Sequence, residues 1–205
     1  MEQGTDEWKQ IRLGKISASR MGDLLATTRT GTAASRAKYM AQLVCERMTG
    51  VLTEFKVTKP MERGTELEPI ARAAYEVETS QMIDQIAWVD HPKIEKAGCS
   101  PDGLVGEDGL VEIKCKETHN HFETILKDEI DSDHEKQMLW QMACTGRAWC
   151  DFVSFDPRMP DHLKLFIQRF NRDDLRIKEI EDQVRVFIAE IDQKVDDLNK
   201  LYKKD

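Results

Sequence analysis

Asp102 and Glu112, with nine residues between them, and Lys114 two further on are the residues of this chain most able to do chemistry. They stand in Ser100-Pro101-Asp102-Gly103 and Leu110-Val111-Glu112-Ile113-Lys114-Cys115, on either side of Gly106-Glu107-Asp108-Gly109. Two apolar runs flanking an Asp-Gly turn read as a β-hairpin. Strand side chains alternate faces, so Glu112 and Lys114 project to one side and Ile113 to the other. Asp102, at the start of the first strand, can reach the same side. Two carboxylates offer hard oxygen ligands that suit Mg²⁺, which keeps several waters and leaves room for a phosphate. Such a metal polarises a phosphodiester and acidifies a bound water, while an ammonium beside it positions that water or steadies charge on the phosphorane. The expected chemistry is metal-assisted phosphodiester hydrolysis. A surface hairpin with scattered charges is the plain alternative.

The hairpin needs a frame to hold it. Asp6 to Leu13 reads as a short helix, and Ser17 or Ser19 as the cap of a second one running to Leu25. Thr27 to Thr32 is a polar loop. A longer helix is expected from Ala33 to Thr49, with Met40, Leu43, Val44 and Met48 at helical spacing and Gly50 as its stop. Another is expected from Thr65 to Glu78. Strands follow at Ile83–Val89, Ala97–Val105 and Leu110–Cys115, then helices at His121–Lys127 and Ser132–Thr145. Trp149–Phe155 and Leu163–Phe170 are strands, joined by a turn at Asp156-Pro157. Arg172 to Lys203 reads as one long helix with an apolar stripe from Ile180 to Leu198. The expected fold class is α/β, a central mixed β-sheet flanked by helices.

A chain of 205 residues suffices for one well-buried domain. It divides into N-terminal helices over 5–79, a sheet core over 83–170 and a C-terminal helix over 172–203. No apolar run approaches the ~20 residues that cross a bilayer, and no charged-apolar-small leader opens the chain. A cytoplasmic protein with no membrane partner is the expectation. Cys45, Cys99, Cys115, Cys144 and Cys150 form an odd, scattered set without C-x-x-C. That argues against a disulfide framework, a zinc knuckle and an Fe–S cluster.

The net charge of −8 opposes a nucleic-acid partner at first sight. Only the field at the binding surface matters, however. Acidic residues concentrate after Asp173 and around Asp128-Glu129, whereas Lys9, Arg12, Lys15, Arg20, Arg29, Arg36, Lys38 and Arg47 make the first fifty residues basic.

Several residues outside the hairpin have two readings. Glu68, three residues after Thr65, is either the inner half of a capping box or a carboxylate facing the metal, and the two are compatible. Arg12 with Ser17 and Ser19 offers a guanidinium fork and hydroxyls at a helix start, a receptor for a phosphate. Singly, each also reads as a solvated charge or an N-cap. Ser100 is a further phosphate donor or a turn residue. Gln137 lies on an amphipathic helix and reads as a surface amide. His119 and His121, in a polar loop, read as solvated. Trp8 reads as a packing anchor for the first helix.

The Pro-Asp…Glu-x-Lys constellation resembles the core of the PD-(D/E)XK nucleases. Cys99-Ser100-Pro101-Asp102-Gly103-Leu104 with Glu112-Ile113-Lys114-Cys115 resembles the lambda-type phage exonucleases, also called YqaJ-like viral recombinases. Trp8-x3-Arg12-Leu13-Gly14-x-Ile16-Ser17-Ala18-Ser19, Gly64-x3-Glu68-x2-Ala71, Gln137 and Phe155-Asp156-Pro157-Arg158-Met159 are similar to further motifs of that family. The similarity runs from Thr5 to Met159. It implies a Mg²⁺-dependent 5′→3′ exonuclease on linear double-stranded DNA, with Mn²⁺ as a substitute ion. It implies a ring-shaped homotrimer working with a phage single-strand annealing protein. By the same resemblance Asp102, Glu112, Lys114, Glu68 and Gln137 are catalytic. The metal is held by Asp102, Glu112, Glu68 and the Ile113 backbone carbonyl. Arg12, Ser17, Ser19 and Ser100 take the 5′-phosphate, and Met61 is a wedge at the DNA end. An endonuclease on the same core and a non-catalytic DNA-end module are the alternatives.

Overall fold

The computed structural model of the chain describes residues 2–29, 31–53 and 57–202. The chain runs α1 (Asp6–Arg12), β1 (Ile16–Ser17), α2 (Met21–Leu24), β2 (Thr27–Thr28), β3 (Gly31–Thr32), α3 (Ala34–Thr49) and α4 (Lys59–Thr79). It continues through β4 (Ile83–Asp84), β5 (Val89–Asp90), β6 (Ala97–Cys99), β7 (Gly103–Val105), β8 (Gly109–Lys114), α5 (Thr118–Lys127) and α6 (Ser132–Thr145). β9 (Trp149–Phe155), β10 (Leu165–Asn171) and α7 (Asp174–Tyr202) complete it. Lys203, the expected last residue of the final helix, and Thr30 of the expected polar loop lie outside the described residues.

The main sheet has the order β10-β9-β8-β7-β4. It is mixed, because β8 pairs antiparallel with β7 but parallel with β9. A parallel neighbour requires a crossover, and α5 and α6 provide it. Alternation along β8 divides its side chains between two layers. Leu110 joins the cluster containing Met138, Leu139, Met142 and Phe187, from α6 and α7. Val111 and Ile113 join Ala71 and Tyr75 of α4. Both faces are covered, so α6 and α4 lie on opposite sides of the strand that carries Glu112 and Lys114.

Four expectations are corrected. The strands expected at Ile83–Val89 and Ala97–Val105 are each broken, and their halves belong to two sheets: β5 and β6 join β1 in a separate three-stranded sheet. Pro101 has no N–H for a ladder, and the chain changes sheet at Ser100-Pro101-Asp102. Second, α4 begins at Lys59, with Pro60 in its first turn, where the missing N–H costs nothing. Thr65 and Glu68 are therefore interior residues and no capping box forms. The Thr65 hydroxyl bonds the Met61 carbonyl instead, and Pro69 sits inside the helix. Third, Ser17 stands at the N-cap position of a 3₁₀ turn over Ala18–Arg20 that leads into α2, but its side chain makes no capping bond, and Arg20 occupies the cap position of α2 itself. Fourth, His121 is fully buried, its ring nitrogens 2.7 Å from Ser154 Oγ and from the Leu163 carbonyl. The expected polar loop of Thr27–Thr32 contains the short β2–β3 hairpin. No helix among the described residues is long and apolar enough to cross a membrane.

Candidate active site

β7 pairs with β8 only as far as Gly103 opposite Val111. Beyond that pair β8 runs on alone on its β7 side, and the Asp102 carboxylate takes the place of a strand partner. Its Oδ2 accepts the Ile113 N–H at 2.6 Å. The N–H and C=O of one strand residue point the same way, so the Ile113 carbonyl also faces the Asp102 side.

Glu112 lies on the α6 face and is 1% exposed. A carboxylate so enclosed needs a donor for each oxygen. Oε1 receives the Lys114 ammonium at 2.6 Å and Gln137 Nε2 at 2.7 Å. Oε2 receives Gln141 Nε2 at 2.6 Å. Gln137 and Gln141 are one turn apart on α6, so one helix face delivers both amides. Gln137 also turns its carbonyl to Lys114 at 3.4 Å, and is a buried site residue rather than a surface amide.

The charges are coupled. Burial first, then the Glu112 charge, pushes the Asp102 carboxyl well above the ordinary range, against the pull of Lys114 and the Ile113 N–H. Burial opposes the Lys114 ammonium, but Glu112, Asp102 and Glu68 outweigh it and raise its pKa. Glu68 acts at a distance: it comes from α4, on the other side of β8, and pairs with Arg72 at 2.6 Å. Among the described residues no three His, Cys, Asp or Glu side chains converge as a ready cage. Asp102, Glu112 and the Ile113 carbonyl nonetheless bring hard oxygens to the same end of β8, near enough for the Glu112 charge to bear on Asp102. That set fits a small divalent cation with open water positions.

The candidate phosphate residues gather beside it. The Trp8 indole N–H, from α1, reaches Ser100 Oγ and the Ala87 carbonyl, each at 2.9 Å. The Arg12 guanidinium lies 3.9 Å over the Trp8 ring and has no hydrogen bond or ion pair among the described residues. Burial lowers its pKa. Ser17 pairs with Gly98 in the β1–β6 ladder, two residues before Ser100, and its hydroxyl is 3.4 Å from that of Ser19. A Cβ on Gly98 would sit 2.4 Å from the Trp88 ring, so glycine permits this close approach. Trp8 is thus more than an anchor, because it joins Arg12 to Ser100. Met61, at 52% exposure on α4, is open to solvent.

Gln141 and His134 were not singled out from the sequence. His134, one turn before Gln137 on α6, stacks on Phe152 with ring centroids 5.3 Å apart. Burial, then Lys114 and Lys116, hold it down at about 4, so it is neutral at pH 7. The signal for Gln141 was the company it keeps: every residue from Gln137 to Cys144 is buried, and a buried amide needs a partner.

A search of curated protein sequences finds no match. The chain is 48% identical to an alkaline exonuclease (LHK-Exo) from Laribacter hongkongensis, with a TM-score of 0.90 over 96% of this chain and 97% of that one. The structure of LHK-Exo in complex with dAMP gives the same figures. A phage related exonuclease from Haemophilus somnus 129PT shares the fold at 15% identity, with a TM-score of 0.74 over 90% of this chain and 96% of that one. The family model of the YqaJ-like viral recombinase domain matches residues 7–148, which contain every residue of the site described above, and the chain belongs to that family.

Proposed function

We propose that this chain is a Mg²⁺-dependent 5′→3′ exonuclease on linear double-stranded DNA. It would shorten one strand and leave a 3′ overhang for a phage-type single-strand annealing protein. Family membership supports the phage-type DNA exonuclease. The polarity, the ion and the partner are our reading, as is assembly into a homotrimer ring. The observation that carries the reading is that Asp102, whose carboxylate is bonded to the strand of Glu112 and Lys114, stands two residues after Ser100. Ser100 belongs to the Arg12–Trp8 group, where a phosphate receptor is expected. The dAMP in the LHK-Exo complex is a deoxynucleoside monophosphate, the product class of stepwise removal.

Asp102, Glu112 and the Ile113 carbonyl would hold Mg²⁺, or Mn²⁺ in its place, with Glu68 adding negative charge from α4. When bound, the ion supplies Lewis acidity and a water that ionises near neutral pH. Lys114, held on Glu112 at 2.6 Å, would offer its ammonium to the attacking water or to the phosphate charge that develops. Gln137 and Gln141 keep Glu112 from rotating. Arg12, with Ser17, Ser19 and Ser100, receives the terminal 5′-phosphate through charge-assisted bonds, and Met61 stands on the exposed face of α4, where a duplex end could meet it. Incubation with Mg²⁺ and three duplexes tests the reading: linear 5′-phosphorylated, linear 5′-hydroxyl, and covalently closed. Consumption of linear DNA alone, faster with the phosphate, is expected. Cutting of closed circles would make it an endonuclease, and no cutting a binding module.

A further inference from the structure

We propose that Gln141 decides which oxygen of Glu112 faces the cation, and so biases the site toward Mg²⁺ and against Ca²⁺. The inference rests on the hydrolytic reading above.

The two oxygens of Glu112 have different surroundings. Oε1 meets the Lys114 ammonium, whose side chain is 28% exposed, and Gln137, which is 9% exposed. That side is open, and a lysine on a long stem can swing away from it. Oε2 meets Gln141, which is 0% exposed in a stretch of α6 buried throughout from Gln137 to Cys144. No solvent reaches that side.

The orientation of the Gln141 amide shows what fixes it. Its Nε2 points at Glu112, while its own Oε1 is buried with no hydrogen-bond partner. Turning the amide over would set a carbonyl oxygen 2.6 Å from a carboxylate oxygen, two acceptors with no proton between them. The side chain leaves its carbonyl unsatisfied in order to donate to Glu112. The carboxylate, and not the surrounding core, sets the amide.

Glu112 therefore offers a cation one oxygen. Mg²⁺ takes near-ideal octahedral geometry with carboxylates bound through single oxygens, whereas Ca²⁺ takes about 6–8 ligands and accepts both oxygens of one carboxylate. Holding Oε2 back denies Ca²⁺ the second contact and costs Mg²⁺ nothing. Gln141 is a positioning residue that touches neither substrate nor ion.

Gln141→Met keeps the length of the side chain and removes the donor. Calorimetric titration of the full chain with MgCl₂ and with CaCl₂ should show the Ca²⁺-to-Mg²⁺ ratio of dissociation constants falling about tenfold in the variant, as a gained ligand would produce. An unchanged ratio would overturn the inference, whether both affinities hold or fall together. If Gln141→Met does not melt cooperatively, wild-type crystals soaked in MgCl₂ decide. Glu112 binding only through the oxygen not held by Gln141 supports the proposal, and both oxygens on Mg²⁺ overturn it. A wild-type chain that takes up neither ion fails this inference and the hydrolytic reading together. One that binds Mg²⁺ and cuts DNA with an unchanged ratio loses this inference alone.

Discussion

The Lys114 ammonium folds back along β8 and rests 2.6 Å from Glu112 Oε1, two residues before it on the same strand face. That oxygen is the one on the open side of Glu112, since Oε2 is taken by Gln141 in the core. The lysine therefore occupies the position where a cation would meet the carboxylate. Swinging away would release its donors toward water or phosphate.

Lys114→Ala should cut turnover strongly while leaving Mg²⁺ affinity unchanged or tighter, because an ammonium cannot ligate a cation and competes with one for Oε1. Lys114→Arg should rescue poorly, as a planar fork does not replace a compact donor. Titration calorimetry showing Mg²⁺ binding weakened as much as in Asp102→Ala would contradict this role.

Asp102→Asn should abolish cleavage and leave the chain at least as stable in a chelator. Burial and the Glu112 charge both disfavour an ionised Asp102, and an amide oxygen can still accept the Ile113 N–H. Adding Mg²⁺ should raise the melting temperature of the wild type by mass action but not that of the variant. Scanning calorimetry with EDTA and with MgCl₂ checks both, and an equal rise in the two proteins refutes the assignment.

Arg12→Ala should slow digestion of 5′-phosphorylated ends and shrink their advantage over 5′-hydroxyl ends. A charged hydrogen bond of this kind is worth roughly 1.5–3 kcal/mol, enough for a tenfold change or more. Trp8→Phe keeps a ring under Arg12 but removes the N–H that holds Ser100, so its loss should be smaller and in the same direction. Equal rates on the two ends in wild-type protein would show that no such pocket operates.

Asp156 supplies the pH prediction. Its side chain is fully buried and bonded by Arg63 at 3.0 Å, Arg158 at 2.9 Å and Thr118 at 2.6 Å. Burial alone would raise its carboxyl, but the bonds from Arg158 and Thr118 outweigh that and hold it at about 2. A carboxyl lowered in the folded state stabilises above its unfolded pKa, near 3.8, and that stability fades as pH falls toward 2. Asp156→Asn should cost roughly 2–3 kcal/mol at pH 7. Urea denaturation between pH 7 and pH 3 should show the gap narrowing only below about pH 4. A gap that narrows between pH 7 and pH 5 would assign it to another group.

The hairpin and its alternation were legible because they are local: an Asp-Gly turn and period-2 spacing fix where Glu112 and Lys114 point. Non-local choices were not. The β6–β7 break at Pro101 depends on a second sheet formed with Ile16 and Ser17, more than eighty residues upstream. The helix expected from Thr65 starts at Lys59 because Pro60 suits its first turn, while Pro69 is accommodated inside the helix. Gln137 and His121 read as surface or loop polar groups because their partners, Glu112 and Ser154, come from other elements. Asp156 was visible only as part of a motif. The sequence does not reveal that it ties α4, α5 and β9 together.

The parallel pairing of β8 with β9 orders events as the chain is synthesised. Asp102 and Glu112 emerge within one hairpin, whereas Gln137 and Gln141 follow only after α5, and β9 only after α6. A nascent chain stalled before α6 would have both carboxylates but neither amide, and Glu112, lacking donors, would stay in water rather than take its buried position. If these residues cut DNA as proposed, cutting ability would not appear ahead of the nearly complete fold.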